Sequence, residues 1–296
     1  MMKTPLSFEP ARESPSPWRL QGQRALVTGG SKGLGQAIVE ELLSLGAEVM
    51  VVARESSAFR EQVQTWNDRW QPQGIIPVEA DLSTEVGRQQ VSDRLRDTWD
   101  GLEILVNNAG TNLRKSTLEY TATEYDRLVQ LNQLAAFDLC CRCHPYLKQK
   151  NGFQPTDSSA PPTDNLDTRN RVTRNLATHS IVNVGSVYGI LSGRTGIPYA
   201  MTKAALHQMT RSLAVEWAMD GIRVNTVAPG VIRTPLTAQA LADPERLQAI
   251  VASRPLQRVG EPVEVARVVA FLCMEAAAYV TGECVAVDGG FLAFGF

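Results

Sequence analysis

The chain carries little net charge: 29 Lys and Arg stand against 31 Asp and Glu, a formal balance of −2. It therefore lacks the positive field that draws a protein to nucleic acid or to an anionic membrane surface. No apolar run nears the roughly 20 residues of a membrane-spanning helix. Histidine is scarce, with three in 296 residues, and the one spacing that could suggest a metal or redox site is the C-x-x-C of Cys140 and Cys143. Five cysteines, an odd number, argue against a disulfide framework. Three of them lie together in Cys140-Cys141-Arg142-Cys143-His144. They continue a helical pattern (Leu128, Leu131, Leu134, Ala135, Leu139) towards its end before Pro145, where the helix dipole raises a thiol pKa, so they read as buried, unreactive thiols. Met1 to Pro17 has no leader-like apolar stretch and is rich in Pro, Ser and charge, which reads as a disordered tail on a cytoplasmic protein.

What remains is an apolar content of 44%, enough for one large α/β domain. Short β-type runs alternate with helical patterns: Ala25–Thr28, Glu48–Val52, Ile75–Glu79, Ile104–Asn107, Ser180–Val184, Arg223–Ala228 and Cys284–Val287. Strands separated by helices predict parallel βαβ units wound into a sheet of about seven strands, with helices on both faces. The rhythm breaks at 151–178, where Pro155, Pro161 and Pro162 sit among Ser, Thr, Asp, Asn and Arg. That segment reads as a flexible insertion at the amino-terminal edge of the sheet, away from the edge where such sheets bind ligands.

The first strand leads into Thr28-Gly29-Gly30-Ser31-Lys32-Gly33-Leu34-Gly35 and then an amphipathic stretch. Strand, glycine turn and helix together let backbone amides and a helix amino terminus approach a pyrophosphate. At the end of the second strand, where dinucleotide folds place an acidic residue against the adenosine ribose, Val51-Val52-Ala53-Arg54 supplies an arginine. A carboxylate there would repel a 2′-phosphate, whereas Arg54, with Lys32 in the glycine turn, would bind it. NADP(H) is expected over NAD(H).

In order along the chain, Thr28-Gly29 to Gly35, Asp81-Leu82, Asn107-Asn108-Ala109-Gly110, Asn132, Ser186, Tyr199-x-x-x-Lys203 and Pro229-Gly230 resemble the motifs of the short-chain dehydrogenase/reductase family. The likeness runs from about Trp18 to Phe296. Ile222-Arg223-Val224-Asn225, Tyr279-Val280-Thr281-Gly282 and Val287-Asp288-Gly289-Gly290 make it most similar to the tropinone reductase-like reductases. The resemblance implies a Rossmann-type fold in which Gly29, Ser31, Lys32, Gly33, Leu34 and Gly35 meet the phosphates and ribose. Asp81 and Leu82 would meet the adenine, and Asn108, Ala109 and Gly110 the adenosine and nicotinamide side. Pro229, Gly230, Ile232 and Thr234 would face the nicotinamide and its carboxamide. It further implies that Tyr199 donates a proton in reduction, Ser186 binds the carbonyl oxygen, Lys203 also holds the nicotinamide ribose, and Asn132 holds a relay water. Pairing of the helices around the Ser186 strand would build a homo-oligomer, a tetramer or a dimer.

The Tyr-x-x-x-Lys spacing occurs twice. Tyr146 and Lys150 border the insertion at the wrong edge, whereas Tyr199 and Lys203 open a helix thirteen residues past Ser186 and share one face of it. Hydride addition to a carbonyl builds negative charge on oxygen, which needs a proton donor, and a tyrosine whose pKa is lowered by a nearby cation, here Lys203, can serve. Ser186 is no hydrolase nucleophile, because Val184 and Tyr188 stand where a nucleophile elbow requires glycines. Tyr188 is expected to line the substrate pocket. Arg114, four residues past Gly110, would disfavour a protonated amine as substrate. His207, one turn past Lys203, reads as packed or interfacial. The reading is an NADPH-dependent reductase of a small or medium-sized ketone. A 3-oxoacyl-thioester reductase and a non-enzymatic NADP(H) sensor are the alternatives.

Overall fold

The computed structural model describes residues 16–70, 74–148, 179–193 and 196–294. The 151–178 insertion, Lys150 and most of the expected amino-terminal tail lie outside them.

Seven strands form one parallel sheet: β1 (Arg24–Thr28), β2 (Glu48–Ala53), β3 (Ile75–Glu79), β4 (Ile104–Asn107), β5 (His179–Val184), β6 (Ile222–Pro229) and β7 (Cys284–Val287). Their order is β3-β2-β1-β4-β5-β6-β7. Winding outward from β1 to β3 and then back past β1 to β4 puts a topological switch at the carboxyl ends of β1 and β4, where such sheets open a ligand crevice.

Alternation along each strand divides the core. Ala25, Val27, Val49, Val51, Ile104 and Val106 face one helical layer, and Leu26, Met50, Val52 and Leu105 face the other. The first layer holds α1 (Gly33–Ser44), α2 (Ser57–Arg69) and, further along the chain, the helix Pro262–Cys273. The second holds α3 (Glu85–Thr98) and a long helical run between β4 and β5. That run comprises α4 (Ala122–Val129), a π-helical turn (Gln130–Leu134) and α5 (Ala135–Leu147). Helix α6 (Ile197–Glu216) follows β5 and packs Leu213 and Ala214 into the same layer. Beyond β6 come α7 (Ala238–Leu241), α8 (Pro244–Ala252) and α9, the Pro262–Cys273 helix already placed.

Helix α5 continues through Pro145 to Leu147 and does not stop before it. Cys140 and Cys143 are buried on it and Cys141 is exposed. Burial is the largest cause raising these thiols, Cys140 to about 12. At the far edge of the sheet the Nδ1 of His179 meets the Leu147 carbonyl, so the ends flanking the insertion lie together at the amino-terminal edge.

Candidate active site

The glycine turn between β1 and α1 is held by close backbone approach. Gly29 has a φ of +67°, and a Cβ on it would come 2.9 Å from the Ala109 Cα. A Cβ on Gly35 would run into the Gly29 carbonyl. Both positions therefore require glycine. Lys32 is the residue before α1, its side chain makes no capping bond, and the first turn of the helix contains no acidic residue. The amino-terminal amides of α1 are thus left for an external anion. A Cβ on Gly33 would lie 3.4 Å from Thr234, which places the loop after β6 against the turn.

Across the switch point, Asn108 spends its side chain on the protein. Its Nδ2 donates to the Thr28 carbonyl at 2.9 Å and the Gly29 carbonyl at 3.1 Å. The amides of Asn108 and Ala109 donate to the Thr28 hydroxyl at 2.9 and 3.0 Å. Asn108 thereby clamps the glycine turn to the end of β4. Asp81 accepts from the amide and hydroxyl of Ser83 at 2.9 and 2.7 Å, bonds that hold its carboxyl below the usual range. Leu82 is buried with Thr28, Ala109 and Leu131 around a small crevice. Arg54 is exposed at the end of β2, and its charge also reaches Asp81.

Ser186, Tyr199 and Lys203 converge at the carboxyl end of β5. Ser186 opens a 3-10 turn (Val187–Gly189), its hydroxyl accepting from the Tyr188 amide at 3.2 Å. The same hydroxyl is close enough to the Tyr199 phenol to act on its pKa. Lys203, 4% exposed, donates from Nζ to the Val184 carbonyl at 2.7 Å and lies 5.7 Å from the centre of the Tyr199 ring. Burial lowers its pKa to about 8. A lysine that pulled the phenol down was the expectation from sequence. Instead burial pushes Tyr199 up, opposed by the Ser186 hydroxyl and by the charge of Arg114, and the phenol stays protonated at neutral pH.

Asn132 sits in the π-helical turn, a local widening that turns its amide inward. Its Oδ1 accepts from the Thr111 amide at 2.8 Å and its Nδ2 donates to the Thr111 carbonyl at 2.9 Å and the Thr202 hydroxyl at 3.2 Å. Gly110 lies between Asn132 and Lys203: a Cβ there would be 3.2 Å from Oδ1 and 3.5 Å from Nζ. Pro229 ends β6 and Gly230 packs on Asp288, while Ile232 is buried and bridges to Gly260.

A family profile described as short chain dehydrogenase matches residues 23–153, and one described as enoyl-(acyl carrier protein) reductase matches 168–292. A tropinone reductase homologue of Arabidopsis thaliana is 38% identical over 96% of this chain and 97% of its own. The chain belongs to the short-chain dehydrogenase/reductase family. Among solved structures of that family, the Pseudomonas aeruginosa RhlG/NADP active-site complex aligns with a TM-score of 0.78 at 33% identity, over 93% of this chain and 98% of its own. The L-sorbose reductase of Gluconobacter frateurii, complexed with NADPH and L-sorbose, aligns with a TM-score of 0.79 at 27% identity, over 94% and 99%. This short-chain dehydrogenase/reductase is accordingly an oxidoreductase, and no helix among its described residues is long and apolar enough to cross a membrane.

Tyr146 stands apart from this site, its carbonyl accepting from the Leu102 amide at the opposite edge of the sheet. Two features around the site escaped the sequence reading, a buried polar ladder and the burial of Arg254. The ladder runs behind the site: Asn107 Nδ2 donates to Asn183 Oδ1 at 2.9 Å, Asn183 Nδ2 to the Thr210 hydroxyl at 2.8 Å, and Thr210 shares a proton with Thr226 at 2.6 Å. His207, read from sequence as packed or interfacial, has its ring in the gap beside Gly185 and Gly189, under the turn that Ser186 opens. Desolvation, aided by Lys203, drops its pKa to about 4, so it is neutral. Arg254, just after α8, is buried near Tyr188.

Proposed function

We propose that this chain is an NADPH-dependent carbonyl reductase, interconverting a ketone and a secondary alcohol on a small or medium-sized metabolite, as a tropinone reductase-like member of its family. The observation that carries the reading is the meeting of a protonated Tyr199, the Ser186 hydroxyl and buried Lys203 at one strand end. The residues fit the cofactor. The uncapped start of α1 would take the phosphates at Ser31, Lys32, Gly33 and Leu34, Arg54 would bind the 2′-phosphate, and Leu82 and Ala109 would border the adenosine. Ile232 and Thr234 would lie along the nicotinamide end. Bound NADPH supplies the hydride.

Each side chain then has a task. Ser186 donates to the substrate carbonyl oxygen and polarises it, and Arg114 and Tyr188 border the same space. Tyr199 gives its proton to that oxygen as the carbon gains hydride, leaving a phenolate that the Lys203 ammonium stabilises. Asn132 holds the path by which the proton is replaced. A pKa of about 8 keeps Lys203 mostly charged at neutral pH and costs it that charge as the pH rises further. The chain is expected to work as a homo-oligomer, since Phe137 and Val215 expose apolar surface on the helices flanking β5.

The test is Tyr199→Phe, which keeps the ring and removes the proton. We expect kcat for NADPH oxidation with a responsive ketone to fall about 10²–10⁴-fold with NADPH affinity nearly unchanged. Retention of more than roughly a tenth of wild-type kcat would defeat the assignment. Tyr146→Phe is the control.

A further inference from the structure

Arg88, near the start of α3, is 4% exposed, and a guanidinium that deep is kept only where its charge and donors are used. Its fork joins two elements. Nε donates to Asp138 Oδ2 on α5 at 2.6 Å, and Nη1 donates to the Leu82 carbonyl at 3.1 Å. Leu82 lies in the turn between β3 and α3, and it lines the small crevice together with Thr28, Ala109 and Leu131. Ala135, Ala136 and Leu139, the neighbours of Asp138 on α5, line the same crevice. Arg88 thus ties one wall of it to the other.

The peptide unit that Arg88 holds also holds Asp81. Its carbonyl is that of Leu82, and its N–H is that of Ser83, which donates to Asp81 Oδ1 at 2.9 Å beside the Ser83 hydroxyl at 2.7 Å. Both bonds fall on Oδ1, so Oδ2 takes none from a described residue, and the Leu82 amide donates to none. The rest of the turn is fixed from α3: the Thr84 hydroxyl donates to the Asp81 carbonyl at 2.9 Å and accepts from the Gly87 amide at 3.0 Å. One carboxylate oxygen and one amide, on adjacent residues, are left for a ligand while the peptide next to them is pinned at both ends. Adenine, with an amino donor beside a ring-nitrogen acceptor, has the matching edge.

We propose that Arg88 is a positioning residue for the adenine end of the cofactor site: by holding the Leu82–Ser83 peptide against α5, it sets Asp81 Oδ2 and the Leu82 amide for the edge of the base. This rests on the cofactor reading above and deepens it. Arg88 acts through that peptide and not by a contact of its own. A lysine could pair with Asp138, but it has no rigid fork to reach the Leu82 carbonyl at the same time.

The test is fluorescence titration of the full-length protein with NADPH and with its hypoxanthine counterpart, in which a carbonyl oxygen replaces the amino group of adenine. The wild type should bind NADPH about 10- to 100-fold more tightly, the value of a hydrogen bond to a charged group. Arg88→Met leaves the Leu82 carbonyl without its donor and should bring the two affinities to within about threefold, mostly by weakening NADPH. Arg88→Lys, which keeps a charge beside Asp138, should shrink the ratio in the same direction. Neither variant should change kcat at saturating NADPH, because the nicotinamide end is untouched. A merely structural role would weaken both cofactors by one factor and leave their ratio in place, and that result would overturn the proposal. So would a wild type that binds the two equally. If the methionine variant does not fold, the lysine variant decides. A wild type that binds no nicotinamide cofactor would instead overturn the cofactor reading and the proposal with it.

Discussion

Arg54 is an exposed cation one residue beyond β2, and among the described residues it forms no ion pair. Its nearest recorded effect is on Asp81, whose carboxylate is already occupied by Ser83. A cation so placed gains little from the protein itself, since a solvated charge is screened. A 2′-phosphate would give it a divalent partner. Arg54→Ala should weaken NADPH binding about 10- to 100-fold and leave NADH binding within roughly twofold, as read by fluorescence titration of each cofactor. Equal losses for both would mean that Arg54 does not read the phosphate. Arg54 was legible in sequence because it ends a strand of recognisable pattern, and Ser186, Tyr199 and Lys203 because their spacing fixes them to one strand end and one helical face. Arg254 was not legible in the same way. Nothing local distinguishes Arg254 from the arginines at 233, 246 and 258; it becomes unusual only where it is buried against Phe291, distant in sequence.

At the scale of elements, all seven strands were readable to within a residue at either end, because a strand buried on both faces is a continuous apolar run bounded by turns. The polar residues inside those runs gave no such signal. Asn107, Asn183 and Thr226 lie on the neighbouring strands β4, β5 and β6 and are joined to Thr210 of α6 in one ladder. Whether an asparagine in a strand is a misfit or a partner depends on what its neighbour offers, which only the register reveals. The register sets Asn107 beside Asn183 and Asn183 beside Thr226. The ladder ties α6, which carries Tyr199 and Lys203, to the middle of the sheet. Asn183→Ala would take one buried partner each from the Asn107 amide and the Thr210 hydroxyl, leaving them the Cys140 sulfur and the Thr226 hydroxyl, at a cost of about 1–3 kcal/mol. Chemical denaturation should show that loss as a lower midpoint with an unchanged slope. A variant within about 0.5 kcal/mol of wild type would show that the ladder contributes nothing to the fold. The π-helical turn that presents Asn132 was likewise hidden, because an apolar pattern does not register one extra residue in a turn.

For the whole molecule, the order of the strands puts the glycine turn, the Asn108 clamp, Ser186 and the loop after β6 along one edge of the sheet, while the ends that flank 151–178 meet at the other. The site and those ends are thereby separated by the length of the strands. The outer faces of α5 and α6, which flank β5, are unusually apolar for solvent-facing helices. Phe137 is 49% exposed, Met201 50% and Val215 81%, and on α6 the exposed Met201, Ala204 and Val215 are interspersed with Gln208, Arg211 and Ser212. Charged residues line the exposed sides of α2 and α3 by contrast, so the difference is local. A second copy of the chain laid against α5 and α6 would bury this surface with a two-fold relation, each patch meeting itself. The same helices carry Asn132's neighbour Ala135 and the Tyr199–Lys203 pair, so association would also brace the elements on which the site is built. Light scattering at micromolar concentration should therefore give a multiple of the 32.4 kDa chain mass. Charges placed in the patch, Phe137→Glu with Val215→Glu, should reduce that mass and lower the thermal midpoint together, since an assembly that binds only the folded chain stabilises it. A wild type that is monomeric and fully active under those conditions would show that α5 and α6 tolerate their exposed apolar faces without a partner.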